Sequence, residues 1–115
     1  MSEQAEHWLD GLRQLVKDYS EAKAQRVYLE HFRKSKKAIL MAEAQVKDPD
    51  QYKSAASQEV YAYRHSEYIE LLGGLRAATE TEEFRRWQLK SREMRFEEWR
   101  TEQANQRTER KGYGA

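Results

Sequence analysis

The chain has no cysteine. Disulfides, thiol nucleophiles and thiolate metal sites are therefore excluded. One proline, Pro49, and five glycines leave few places where a helix must stop. No apolar run approaches the roughly 18 residues of a membrane span. The N-terminal MSEQAEHWLDG is acidic and has no apolar centre, unlike a secretory signal. These absences lead us to expect a cytoplasmic protein with no membrane partner. A length of 115 residues gives a single domain, 1–115.

Residues suited to catalysis are equally scarce. His7, His31 and His65 are far apart, and none sits in a His-x3-His or Glu-x-x-His pair. They read as half-exposed helix histidines. Gly73-Gly74 is followed by no Gly-Lys-Ser/Thr, so it is no phosphate cradle. The serines lack a nucleophile-elbow context. We assign no catalytic residue, metal or cofactor, and expect no enzymatic activity.

What the chain does have is helix-forming sequence rich in Gln, Glu, Lys, Arg, Ala and Leu. Hydrophobic residues are 38% and charged residues 36%, too polar for a compact globule but suited to long, thin helices. Residues 3–47 read as one helix, with Ser2 as a candidate N-cap. Trp8, Leu12, Leu15, Val16 and Tyr19 keep a three-four spacing, and so do Tyr28, Phe32, Ser35, Ile39, Ala42 and Val46. Between these runs, near Ala22–Arg26, the phase slips. Lys47-Asp48-Pro49-Asp50-Gln51 is the clearest break, and Asp50 or Ser54 can cap the next helix. That second helix is expected over residues 52–110. Tyr52, Ala56, Val60 and Tyr63 start its stripe; Tyr68, Leu72 and Leu75 continue it. Gly73-Gly74 allows a kink, or a true break with Thr79-x-x-Glu82 as capping box. The apolar spacing favours the kink. The tail, residues 111–115, should be frayed.

Residues 84–111 hold two of the three tryptophans and seven arginines. Phe84, Trp87, Ser91 and Met94 fall on one stripe; Leu89, Phe96 and Trp99 fall on another, roughly 140° away. Two stripes call for two partners.

Charge is blocky. Residues 1–12 carry a net −3, 13–37 a net +5, 66–83 a net −4 and 85–111 a net +4. If the chain folds back at residue 50, residue i faces about residue 101 minus i, and the blocks become complementary. The expected fold is therefore all-α: a long antiparallel, coiled-coil-like helical hairpin. Two helices leave an aromatic stripe uncovered, so a homodimer forming a four-helix bundle is the economical solution. The association interface would be Leu89, Phe96 and Trp99, with Trp87. For phosphate contact the candidates are Arg92, Arg95, Arg100, Arg107 and Arg110, with Lys34, Lys36 and Lys37 as a second set.

Three runs, KSKKAILMAEA at 34–44, HSEYIELLGGLRAA at 65–78 and EMRFEEWRTEQANQR at 93–107, resemble small helical accessory proteins of tailed bacteriophages and prophages. The resemblance covers about half the chain. It implies an accessory role in DNA recombination or replication in the host cytoplasm, through DNA or a DNA-handling protein, and carries over no site residues. The alternatives are an interaction module that binds a host or phage protein, and a virion structural or assembly component.

Overall fold

The computed structural model describes residues 3–114, and the side chains of residues 3–112. It is all-α: α1 spans Glu3–Lys47, α2 Ala55–Arg64 and α3 Ser66–Gly114. No strand occurs among the described residues. The expected cap at Ser2 lies outside them. The segment expected to fray is helical as far as Gly114.

The turn around Pro49 ends α1 as expected. Asp48 closes the helix through its N–H to the Ala44 carbonyl, 3.0 Å. Its carboxylate accepts from the Gln51 N–H at 3.1 Å. Ser54 then caps α2, its hydroxyl accepting from the Ser57 N–H at 3.1 Å, the usual way to satisfy an orphan donor of the first turn.

The second break is not at the glycines. Gly73 and Gly74 lie inside α3, in the open. The helix breaks at His65, which is extended at φ −69°, ψ 136°. His65 closes α2 with its N–H on the Ala62 carbonyl, 3.2 Å, while its own carbonyl accepts the N–H groups of Tyr68 and Ile69. Its Nδ1 accepts from the Glu67 N–H at 3.1 Å, so the imidazole caps α3. The reason is phase. In one continuous helix, residues 62 and 68 would point about 120° apart. One extended residue resets the rotation, and Ala62 and Tyr68 both bury against Leu40.

Packing divides the chain into two units, residues 1–20 with 83–115 and residues 21–82. In each unit α1 lies antiparallel to α3. In the first, Arg92 lies over Trp8 and Arg85 stands 4.0 Å from Asp18. In the second, Lys36 meets Glu67 at 2.5 Å. These three contacts fall within two residues of the register expected from the charge blocks, whereas Arg26–Glu82 and Glu43–His65 lie seven residues from it.

The inward residues of α3 keep a heptad spacing: Tyr68, Leu71, Leu75, Ala78, Glu82, Arg85, Leu89, Arg92, Phe96 and Trp99. In α1 the inward residues of the first unit are Trp8, Leu12, Leu15 and Tyr19; those of the second are Ala22, Arg26, Leu29, Arg33, Lys37, Leu40 and Ala44. Within the second unit the spacing slips at Leu29–Arg33–Lys37, two steps of four, rather than near Ala22–Arg26. The seam of the second unit accepts charged residues, and the run Tyr28, Phe32, Ile39 and Val46 is left outside.

The apolar core is small. It centres on Leu40, 1% exposed, with Ala62 and Tyr68, and Met41 and Tyr61 pack against it. Charge also enters the seam of residues 21–82. The Arg26 guanidinium donates to both Glu82 oxygens, at 2.5 and 3.2 Å, and to Glu30 at 2.9 Å. Those carboxylates, Glu82 foremost, hold its proton more tightly than usual.

Candidate association surfaces

The first surface belongs to the unit of residues 1–20 and 83–115. Arg85 and Arg92 point from α3 toward α1, so helical geometry turns Leu89, Phe96 and Trp99 the same way. All three are half-buried. Phe96 and Trp99 stack at 5.9 Å, and the Trp99 indole N–H is buried without an acceptor. The stripe expected to remain for association is thus the one that closes the unit. The other stripe is outside: Phe84 is 59% exposed, Trp87 53% and Met94 65%. Trp87 alone of the residues expected at an interface lies on it.

The charges beside Trp87 hold it in place. Its indole N–H donates to Glu83 at 2.9 Å. Arg86 and Lys90 stand over the ring at 5.0 and 5.2 Å from its centroid. Arg86 also pairs with Glu83 at 2.6 Å. Arg86 first, then the indole, hold the Glu83 carboxyl below the ordinary carboxylate range. An aromatic ring fixed by its neighbours and open on one face can bind without much loss of side-chain entropy.

The second surface belongs to residues 21–82. Tyr28 and Phe32 stack with ring centroids 5.9 Å apart and planes 9° from parallel. Ile39 and Val46 continue the stripe, Val46 being 85% exposed. These residues recur at steps of four, seven and seven, about 80–120° around α1 from Leu40. The spacing is that of a coiled-coil seam with no partner helix.

Most of the residues expected to touch phosphate are engaged within the fold. The Arg92 guanidinium lies 4.1 Å from the Trp8 ring centroid, with its Nε buried and without an acceptor. Arg95 approaches the same ring at 5.9 Å. Arg100 pairs with Glu97 at 3.1 Å. Lys36 holds Glu67, whose carboxyl it keeps below the ordinary range. Lys37 pairs with Glu59 at 3.2 Å and stands over Tyr63. Tyr63 first and then Glu59 raise its proton affinity. Lys34, Arg107 and Arg110 are exposed and have no ion pair among the described residues. In each unit, most of its set is thus taken up by partners within the fold.

His65 is the residue with a structural role that the sequence did not suggest. It caps α3, and its Nε2 lies 4.0 Å from Glu43. Its signal was the five-residue step from Tyr63 to Tyr68, which breaks the three-four spacing. No group of three or more potential metal ligands occurs among the described residues. No helix among them is long and apolar enough to cross a membrane. No protein family, curated protein or solved structure matches the chain in comparison.

Proposed function

We propose that the chain is a helical interaction module, binding protein partners through the apolar stripes that its own seams leave uncovered. The observation that carries this reading is the stripe Tyr28, Phe32, Ile39 and Val46. It has coiled-coil spacing and lies about 80–120° around α1 from Leu40, outside the seam. An amphipathic helix of a partner laid along it would bury all four side chains at once. The internal use of Arg92, Arg95, Arg100, Lys36 and Lys37 supports the same choice, because it leaves little cationic surface for nucleic acid.

The test is capture of partners by the tagged full-length chain in the cells that make it, with nuclease treatment. Proteins retained after nuclease and lost with Phe32→Glu or Ile39→Glu are the expected outcome. Retention that survives both substitutions and disappears with nuclease overturns the reading.

A second reading, accessory DNA contact in recombination or replication, keeps one specific support: Arg107 and Arg110, exposed and without ion pairs near the end of α3. If it holds, duplex or single-stranded DNA binds at about 50 mM salt, where phosphate contacts are strong, and weakens steeply as salt rises. Arg107→Glu with Arg110→Glu then abolishes that binding.

A further inference from the structure

The stripe Tyr28, Phe32, Ile39 and Val46 does not stand alone on its side of α1. At about 100° per residue, Lys36, Glu43 and Lys47 lie between the stripe and Leu40, roughly 20–60° from Leu40. Each of them meets the opposing helices. Lys36 pairs with Glu67, Glu43 lies 4.0 Å from His65, and the Lys47 ammonium stands 5.8 Å from the Tyr61 ring centroid. Lys37, on the other side of Leu40, turns instead to Glu59 and Tyr63. The stripe and the Tyr61–His65 side of the seam therefore flank one groove.

At the hairpin tip, one residue beyond Val46, lies a cleft of about 460 Å³. Lys47 lines it from α1, Tyr61 and Arg64 line it from α2, and Tyr52 and His65 complete the wall. No carboxylate is among the lining residues. Glu43 is engaged with His65, and the Asp48 carboxylate with the Gln51 N–H. Lys47 and Arg64 are exposed and have no ion pair among the described residues. Each sits in the last turn of its helix, whose end carries about half a negative charge and so answers it only in part. The Tyr52 and Tyr61 rings meet edge-on at 5.2 Å, and neither hydroxyl has a hydrogen-bond partner among the described residues. Two cations and two available hydroxyl donors beside half-buried rings suit a carboxylate carried on an apolar body.

We propose that this cleft binds the acidic first turn of a partner helix seated on the α1 stripe. The proposal rests on the interaction-module reading and states what that partner must carry. Acidic side chains are favoured in the first turn of a helix. The ends of α1 and α2 at the cleft are both C-terminal, so the positive N-terminal end of the partner is the one they favour. With that end at the tip, the partner runs antiparallel to α1 and follows the stripe from Val46 to Tyr28, about 27 Å. Its first carboxylates come to Lys47 and Arg64. Val60, 53% exposed and lining the cleft, adds apolar surface beside them.

The test uses three labelled synthetic helices of about 24 residues, with leucine at three-four spacing on one face. The first has an Asp-Glu-Glu first turn. The second replaces those acids with Asn-Gln-Gln. The third moves the acids to the last turn. Fluorescence anisotropy measures their binding to the full chain at about 50 mM salt, where exposed charges are weakly screened.

The first peptide should bind about tenfold more tightly than the second, and the third should show no such advantage. The preference should shrink as salt rises. Lys47→Gln with Arg64→Gln should remove the preference, leave the second peptide's binding unchanged and leave helicity by circular dichroism intact. Lys47→Glu with Arg64→Glu should reverse it. Phe32→Glu should weaken the first two peptides alike. The proposal is overturned if no peptide binds, if the first two bind equally, or if the third matches the first. A preference that survives loss of both cations, or binding indifferent to Phe32→Glu, overturns it as well. Failure of the charge preference leaves the wider reading in place, since that reading is decided by partner capture lost with Phe32→Glu or Ile39→Glu.

Discussion

Gly11 is a helix-interior glycine that should be stabilised by alanine, yet the surroundings predict otherwise. Alanine in place of glycine inside a helix gains about 1 kcal/mol. A methyl group at Gly11, however, would collide with the Arg92 guanidinium, whose Nη2, Cζ and Nε are the nearest atoms. That guanidinium stands over Trp8, 4.1 Å from the ring centroid. It is the end of a flexible side chain and can lift away, but it then gives up a partly desolvated cation–π contact of about 1–2 kcal/mol. The two effects roughly cancel. We expect Gly11→Ala alone to be neutral or slightly destabilising. In an Arg92→Ala background the obstacle is gone, and Gly11→Ala should stabilise by about 1 kcal/mol. The double-mutant cycle thus has a coupling of roughly 1–2 kcal/mol. Urea denaturation followed by far-UV circular dichroism measures all four chains. Equal stabilisation by Gly11→Ala in both backgrounds would refute the placement of Arg92 over the glycine.

Leu40→Ala should cost about 3 kcal/mol, since the side chain is 1% exposed at the centre of the small apolar cluster. Denaturation would show it, and amide exchange should quicken first around residues 40–44 and 58–68; a loss below about 1 kcal/mol would mean that the site is not closed. His65→Leu removes the acceptor that caps α3 and should cost about 1 kcal/mol, whereas His65→Asn should retain most of the cap. If both variants are equally stable, the cap contributes nothing. Glu67 titrates below the ordinary carboxylate range because of Lys36. A depressed folded value means that its stabilisation is present above the unfolded value and disappears as pH falls through the folded one. The stability of Glu67→Gln should therefore decline less than wild type between about pH 7 and pH 3, and an identical decline would contradict the pair.

The helices, the turn at Pro49 and the antiparallel register were legible in the sequence because each has a local or pairwise cause. Proline ends a helix by removing a donor. The basic block around Arg26 and Lys36 and the acidic block around Glu67 and Glu82 select a register, since other alignments place like charges together. The break at His65 was harder to see. No glycine or proline marks it, and a histidine ring serves as cap. Its cause is the need to bring Ala62 and Tyr68 to the same side of Leu40, a requirement that exists only once α1 is in place. The helix runs on through Gly73-Gly74, as the apolar spacing favoured, because low helix propensity costs about 1 kcal/mol per residue, which a helix held by seam contacts on either side can absorb.

The phase of α1 beyond residue 22 shows why hydrophobicity alone fails here. Tyr28, Phe32, Ile39 and Val46 are the more apolar stripe, and an isolated helix would bury them. The seam of residues 21–82 instead takes Arg26, Arg33 and Lys37. Arg26 is tolerable inside because Glu82 and Glu30 answer it directly. Charged seam layers give little stability for their desolvation, but they discriminate strongly against wrong pairings. Had the seam been apolar throughout, many registers would compete, and the aromatic stripe would be one more surface able to join them. With charge specifying the inside, the aromatic residues can stay on the outside without scrambling the fold. That division of labour is what a module needs if its most adhesive side chains are to meet another chain rather than its own.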